Sequence, residues 1–271
     1  MKTKTLLPIL LSSCILFSAC ASKPEGELSG TVAELYNKGM AEMKVGKHKD
    51  AVHTFDELNR QYPYSGWATR AEMMTAYAQL QNEDFDEAIV TANHFIKYHP
   101  GHKDLAYVYY LKGLANYNRI RDVMRDQGYT REALAAFEEV ANRFPESLYA
   151  RDAKLKITLC KDHLAGKEMQ VGRYYQAQKQ YLAAINRFQE VVKLYQTSSQ
   201  TPEALYRLTE SYLALGLTDE AQRAAAILGH NYGSNEWYSK AYGLLTAQNL
   251  APVGKEKSWY SQMYKGVKAL F

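Results

Sequence analysis

A helical repeat constrains the fold of this chain more than any other feature of its sequence. Five segments begin at a small residue, continue with apolar residues at helical spacing, and close at a proline, tyrosine or glycine; the small residues are Ala51, Ala88, Ala133, Ala184 and Ala221. They follow one another at spacings of 37, 45, 51 and 37 residues. A repeat of this length is typical of a unit that is too small to bury its own apolar face and therefore stacks on its neighbours.

A second small residue stands twelve positions before three of these alanines, as Gly39, Ala76 and Gly172. Small residues allow two helices to approach closely where they cross. A proline closes the second helix of three units, because proline lacks an amide donor and clashes with the preceding turn; these are Pro63, Pro100 and Pro145. The pattern is that of the tetratricopeptide repeat, which has two helices per unit.

The sequence therefore predicts an all-α protein, a right-handed solenoid of about five tetratricopeptide helix pairs with a C-terminal helical extension. The solenoid spans residues 31–233, with repeats near 32–63, 69–100, 106–145, 147–196 and 201–233. Residues 234–271 form the extension, which includes a linker. Within the fourth repeat, residues 147–178 form either one long helix, the preferred interpretation, or two helices broken near Gly166. Helix N-caps are expected at Thr130, Ser147, Thr201 and Thr218.

The N-terminus has the layout of a secretory signal peptide. Lys2 and Lys4 precede an apolar stretch that is too short to span a bilayer, and small residues precede Cys20. This resembles a bacterial lipobox, so residues 1–19 are expected to be removed and 20–30 to form a lipidated linker. Cys14 is the alternative, but cleavage there leaves a very short apolar region.

Lipidation of Cys20 attaches diacylglycerol and an N-acyl chain, which together anchor a protein firmly. Ser22 stands where such lipoproteins carry aspartate when they stay in the inner membrane, so the outer membrane is expected. Without Lys2 and Lys4 the chain keeps 31 basic and 29 acidic residues, a balance that argues against nucleic acid as a partner. Cys160 is interpreted as a packed small hydrophobe rather than a reactive thiol.

Four segments, 95–117, 142–154, 164–175 and 203–217, resemble the BamD family, formerly called ComL. The combination of a lipobox and tetratricopeptide repeats with FIKYHPGH and YARDA in order makes the resemblance specific. It implies a non-catalytic scaffold of the machinery that inserts β-barrel proteins into the outer membrane. It also implies that the C-terminal repeats dock on the periplasmic domains of the barrel subunit, that a partner lipoprotein binds, and that the N-terminal repeats receive unfolded clients.

The first helix of each repeat is expected to line a concave groove rich in tyrosine and methionine. The candidate groove residues are Tyr36, Met40, Met43, Arg70, Met73, Tyr77, Tyr107, Tyr110 and Tyr117. Aromatic rings give a large contact area with a polar tip, methionine adapts to varied partners, and Arg70 is a candidate partner for a client carboxylate. The competing interpretation is that the same stripe packs in the core, above all at Tyr36, Met40 and Met43.

Neither catalysis nor a bound metal or cofactor is expected. The histidines at 94, 99 and 102 cluster near an interhelix turn with no carboxylate pair at metal-ligand spacing. No nucleophile, zinc-protease or phosphate-loop motif occurs. The main rival function is a different periplasmic tetratricopeptide adaptor, such as one in cell-wall synthesis; a cell-wall hydrolase is disfavoured because no segment is long enough for a catalytic module.

The last residues of the chain form an amphipathic pattern. One helical face would carry Trp259, Tyr260, Met263, Tyr264, Val267 and Leu270, with lysines mostly off that face. Three uses stay open for this face: it caps the end of the solenoid, it binds a partner protein, or it lies on membrane lipid.

Overall fold

The computed structural model of the protein describes residues 29–250, which form eleven α-helices and no strand. The helices are α1 (Val32–Lys44), α2 (His48–Gln61), α3 (Gly66–Gln81), α4 (Phe85–Tyr98), α5 (Leu105–Tyr117), α6 (Gly128–Arg143), α7 (Ala150–Ala177), α8 (Tyr181–Leu194), α9 (Thr201–Ala214), α10 (Thr218–Tyr232) and α11 (Glu236–Thr246). No helix in this part of the chain is long and apolar enough to cross a membrane.

The helices pack as five consecutive pairs, α1 with α2 through α9 with α10, and each pair packs on the next. The first helices of neighbouring pairs also contact each other, α1 with α3, α3 with α5 and α7 with α9. These odd-numbered helices therefore share one face of the array, and the second helices form the other. The all-α tetratricopeptide solenoid predicted from the sequence is confirmed.

Size complementarity fixes the helix crossings in three pairs. A Cβ atom added at Gly39 would lie 2.5 Å from the ring of Phe55, one at Gly113 2.5 Å from Phe137, and one at Gly172 2.4 Å from Phe188. These phenylalanines are fully buried. Glycine on the first helix thus makes room for a ring on the second. In the second pair Ala76 replaces the glycine, and Ala92 stands at the position of the phenylalanine.

The fourth pair begins with a single helix of 28 residues, α7, and Gly166 does not break it. This agrees with the preferred interpretation of residues 147–178. Its start is three residues later than expected, since Tyr149 is the N-cap. The long connection between α5 and α6 packs on α7, because Val123 lies beside Gly166 and Lys167 Nζ donates to the Met124 carbonyl at 2.8 Å.

The four N-caps expected from the sequence are wrong. Thr130, Thr201 and Thr218 lie inside helices, and Ser147 lies in the turn before α7. Two of these hydroxyls make other local hydrogen bonds instead: Thr130 donates to the Gln127 side chain and Thr201 to the Tyr195 carbonyl. Side-chain caps occur instead at the starts of α1, α3 and α11; they are Thr31, Ser65 and Asn235.

Helix α11 covers the C-terminal end of the solenoid. It packs on α9 and α10 and buries Ala241 and Leu245 in their core. A terminal element of this kind protects the exposed face that stacked repeats leave at their ends. Cys20 and the amphipathic face formed by Trp259, Tyr260, Met263, Tyr264, Val267 and Leu270 lie outside the described residues.

Candidate functional site

Four tyrosines form a continuous strip across three repeats, on the face that the odd-numbered helices share. Tyr77 comes from α3, Tyr107 and Tyr110 from α5, and Tyr149 from the N-cap of α7. The ring centroids of Tyr77 and Tyr107 are 6.4 Å apart, those of Tyr107 and Tyr149 are 5.0 Å apart, and those of Tyr110 and Tyr149 are 5.2 Å apart and stacked. We call these four residues the tyrosine strip; each is partly buried.

The first two turns of α7 join the strip to the third pair. The Tyr110 hydroxyl donates to Asp152 at 2.5 Å, and Lys156 lies 3.5 Å from the same carboxylate. The Lys156 ammonium also lies over the ring of Tyr117, 4.9 Å from its centroid. Tyr117 packs in turn against the buried ring of Phe137. Polar groups from α7 thus hold the phenol of Tyr110 and the ring of Tyr117 in fixed places.

Three phenols of the strip, those of Tyr107, Tyr110 and Tyr149, have raised pKa values and stay protonated at physiological pH. Burial, helped by the neighbouring tyrosines, raises the pKa of Tyr107 well above its ordinary value. Burial and the hydrogen bond to Asp152 likewise raise the pKa of Tyr110, and burial raises the pKa of Tyr149. A neutral phenol both donates and accepts a hydrogen bond, so the strip offers apolar faces with polar edges.

A second aromatic group lies at the N-terminal end of the solenoid. The ring of Tyr36 packs against Phe55 at 5.8 Å and edge-on against Trp67 at 4.9 Å. The exposed guanidinium of Arg70 lies 5.4 Å from the centroid of the Trp67 ring. Among the described residues no carboxylate pairs with Arg70, so its five N–H donors remain available to an anionic group.

The three methionines predicted for the groove are partly buried and pack beside core clusters, as the tyrosines of the strip also do. Met40 and Met43 contact the cluster around Phe55 and Leu58, and Met73 contacts the cluster around Phe95. The structure therefore brings together Tyr77, Tyr107 and Tyr110. It places Tyr36 and Arg70 beside Trp67, one repeat away.

The repeat pattern in the sequence does not identify Tyr149 of the strip or Asp152, which binds Tyr110. Tyr149 and Asp152 belong to the start of α7, and the repeat pattern assigns no groove position there because the fourth repeat is irregular. Trp67 lies in the first turn of α3, before the positions that the repeat numbering places in the groove. The sequence signal that could have identified Trp67 and Tyr149 is an aromatic residue at or next to the start of a helix.

The C-terminal repeats carry a charged surface on the same helices. Arg173 of α7 and Arg207 of α9 both bind Glu203, at 2.9 and 3.2 Å, and Arg207 also binds Glu210 at 2.9 Å. Tyr206 donates to Glu210 at 2.7 Å. A surface cavity of about 420 Å³ lies here, between α7, α8 and α9.

An aromatic ring from α11 extends this surface. Trp237 lies 5.2 Å from Tyr206, and the Lys240 ammonium lies 4.1 Å from the centroid of the indole. The Arg207 guanidinium faces the same indole at 5.8 Å. Arginine and tryptophan in one patch are the residue types that dominate protein–protein interfaces.

Cys160 takes no part in either surface. It is fully buried among Phe137, Val140 and Ala153. Burial raises the pKa of its thiol to about 11, which keeps it protonated and unreactive. The interpretation of Cys160 as a packed hydrophobe is confirmed.

Comparison with known proteins gives the family. The family described as "YfiO: Outer membrane lipoprotein" matches residues 29–227. A protein of Caulobacter vibrioides named outer membrane protein assembly factor BamD is 46% identical over 219 residues, which are 81% of this chain and 72% of that protein. The chain belongs to the BamD family.

Two further relatives carry the same name. One from Rickettsia prowazekii is 44% identical and covers 90% of this chain and 98% of its own length. One from Xylella fastidiosa is 32% identical and covers 93% of this chain and 91% of its own length. Membership identifies the chain as an outer membrane protein assembly factor and associates it with the outer membrane.

Proposed function

We propose that this protein is a lipid-anchored scaffold on the periplasmic face of the outer membrane, and that it receives unfolded β-barrel clients in the groove lined by the tyrosine strip. It acts by binding and not by catalysis. It requires no cofactor beyond the diacylglycerol and N-acyl chain on Cys20. The family, the lipobox around Cys20 and the groove chemistry support this proposal together.

The observation that carries the proposal is the continuity of the tyrosine strip. Its rings follow one another at 5.0 to 6.4 Å over α3, α5 and the start of α7. Side chains on one side of an extended peptide recur at about 6.5 to 7 Å, the repeat of alternate residues in a strand. The ring spacings are shorter than this repeat, so alternate apolar side chains of an unfolded barrel strand would lie across neighbouring rings, while phenol hydroxyls bind the peptide backbone.

Arg70 supplies the anchor for one end of such a client. A guanidinium binds a carboxylate in a planar, two-pronged geometry, and the ring of Trp67 beneath it orients the plane. An aromatic residue beside that carboxylate would pack on Tyr36 and Trp67. The N-terminal repeats thus offer a site for the aromatic C-terminus of a client.

The charged surface on the C-terminal repeats is proposed to dock on the periplasmic domains of the barrel subunit. The resemblance to the family, which implies docking through the C-terminal repeats, supports this part of the proposal. Arg173, Arg207 and Trp237 provide the residue types that carry most interface energy. Partner lipoproteins of the complex and the outer membrane itself, reached through the lipid on Cys20, complete the set of partners.

A peptide-binding measurement tests the client groove. The probe is a fluorescent peptide of about ten residues with alternating apolar residues, a C-terminal phenylalanine and a free carboxylate, long enough to cover three repeats. A Tyr107→Leu/Tyr149→Leu variant keeps apolar bulk but removes stacking and both hydroxyls, so we expect at least ~10-fold weaker binding. Tyr242→Leu, at an exposed tyrosine on α11 outside the strip, is the matched control and should bind normally.

Arg70→Gln should abolish the preference for the free carboxylate over the amidated peptide and leave binding of the amidated peptide unchanged. Equal weakening by Tyr242→Leu and by the strip variant would contradict the groove assignment. Unchanged carboxylate preference in Arg70→Gln would contradict the anchor.

A further inference from the structure

A surface cavity of about 440 Å³, lined by both apolar and polar side chains, lies on the other face of the solenoid, between α2 and α4 and over α3. Glu72 and Thr75 of α3 line it. Thr75 precedes Tyr77 of the tyrosine strip by two positions, which places the two side chains about 200° apart around the helix. The cavity is therefore separate from the client groove, and neither the client nor the docking proposal uses it.

Glu72 is the central charge of this cavity. Its carboxylate is held between two imidazoles, with His94 Nδ1 2.5 Å from one oxygen and His99 Nε2 3.4 Å from the other. His94 belongs to α4 and His99 caps its C-terminus, so a carboxylate from α3 meets two imidazoles from the end of the next helix. The sequence pattern identified the histidine cluster but not its carboxylate partner, because Glu72 comes from the preceding helix.

Two further acceptors line the cavity without a protein partner. Asp56 of α2 is solvent-exposed and makes no hydrogen bond or ion pair within the described residues; partial desolvation raises the pKa of its carboxyl, and His53 acts in the opposite direction. The Thr75 hydroxyl is an independent signal: the residue is 3% exposed, and its Oγ1 has no hydrogen-bond partner. A buried hydroxyl without a partner is costly and rare, and a donor group bound in the cavity would satisfy it.

The lining combines these acceptors with an apolar entrance. No lysine or arginine lines the cavity, whereas Pro63 and the exposed Val90 lie at its edge. An ammonium group carries three donors around one compact charge, which matches the three acceptors Asp56, Glu72 and Thr75. The methylene stem of a lysine would pack on the apolar edge while the charge is bound inside.

We propose that this cavity binds a lysine side chain of a partner protein. The site lies on the face opposite the groove, so a client and this partner can bind at the same time. The residues that bind the ammonium are Asp56, Glu72 and Thr75, and the two imidazoles hold the Glu72 carboxylate in position.

The test is a titration of the full-length lipoprotein in detergent micelles with Nα-acetyl-lysine methylamide, followed by NMR at the ring protons of His94 and His99 and the methyl groups of Val90. The norleucine analogue, which lacks only the charge, is the control ligand. We expect a saturable shift with the lysine compound and none with norleucine. Asp56→Asn and Glu72→Gln should each weaken binding by ~10-fold or more, because each leaves a cation without its counter-charge.

Two more variants complete the test. Glu87→Gln removes an exposed carboxylate of α4 that does not line the cavity, and it should bind like the wild type. Thr75→Val removes only the hydroxyl and should weaken binding several-fold with the fold intact. The proposal is overturned if norleucine shifts the same signals, or if Asp56→Asn and Glu72→Gln bind as tightly as the wild type. Unchanged binding in Thr75→Val would show that the Thr75 hydroxyl does not contact the ligand.

Discussion

Replacing Gly113 by alanine tests the size complementarity that fixes the helix crossings. The added Cβ would lie 2.5, 2.7 and 3.0 Å from three atoms of the Phe137 ring, whereas ordinary carbon contacts begin near 3.4 Å. The ring is fully buried and cannot turn into solvent. Overpacking of this kind costs about 1–3 kcal/mol, and three short contacts to a confined ring place it near the upper end.

The helix propensity of alanine opposes this cost. Alanine is favoured over glycine in a helix interior by about 1 kcal/mol, so the net destabilisation is about 2 kcal/mol. Gly243→Ala is the matched control, because Gly243 is also inside a helix and a Cβ there meets no atom within 4 Å. That variant should gain up to about 1 kcal/mol. Denaturant unfolding followed by circular dichroism measures both changes in the free energy of unfolding.

A double mutant separates the clash from other effects. Phe137→Ala alone should cost about 3–5 kcal/mol, but combined with Gly113→Ala it reproduces the alanine pair of the second repeat, Ala76 and Ala92. The double mutant should therefore be more stable than the sum of the single changes by at least about 1.5 kcal/mol. Strict additivity, or equal stability of Gly113→Ala and Gly243→Ala, would refute the reasoning.

Two further predictions concern buried ionisable groups. Cys160 should resist iodoacetamide in the folded protein near pH 8, since burial raises its thiol pKa to about 11; labelling as fast as in urea would contradict the packing. Burial and the bond to Glu210 raise the pKa of Tyr206 to about 12, above the ordinary 10, so its stabilising contribution is complete below about pH 10 and lost as pH rises towards about 12. Tyr206→Phe should flatten this loss in thermal unfolding at alkaline pH relative to Tyr242→Phe, and parallel curves would contradict it.

The sequence predicts the repeats well because a small residue stands twelve positions before the repeat alanine in three of the five repeats. Gly39, Gly113 and Gly172 each contact a buried ring that stands four positions after the repeat alanine. The pattern depends on chemistry within one repeat, so it can be read along the chain. It also predicts which tyrosines of α3 and α5 share a face.

The sites depend on contacts between repeats, and those were predicted only in part. Tyr149 joins the strip, and Glu72 lies between two histidines, because irregular helix starts and stacking bring distant positions together. The methionines of the first two repeats share the periodicity of a groove and are partly buried against the core, since periodicity identifies a helix face and not what covers it. The predicted N-caps were wrong because α6, α9 and α10 begin earlier than the pattern placed them and α7 begins later.

The central claim is that this protein is a lipid-anchored scaffold of the barrel-assembly machinery. The most direct measurement is a mild-detergent pull-down of the tagged protein from outer membranes, beside a Cys20→Ala variant. The account predicts that the large barrel subunit co-purifies with the wild type, and that the variant is lost from the membrane fraction. Lipidated protein that purifies without the barrel subunit would contradict the account and indicate a tetratricopeptide adaptor for a different periplasmic partner.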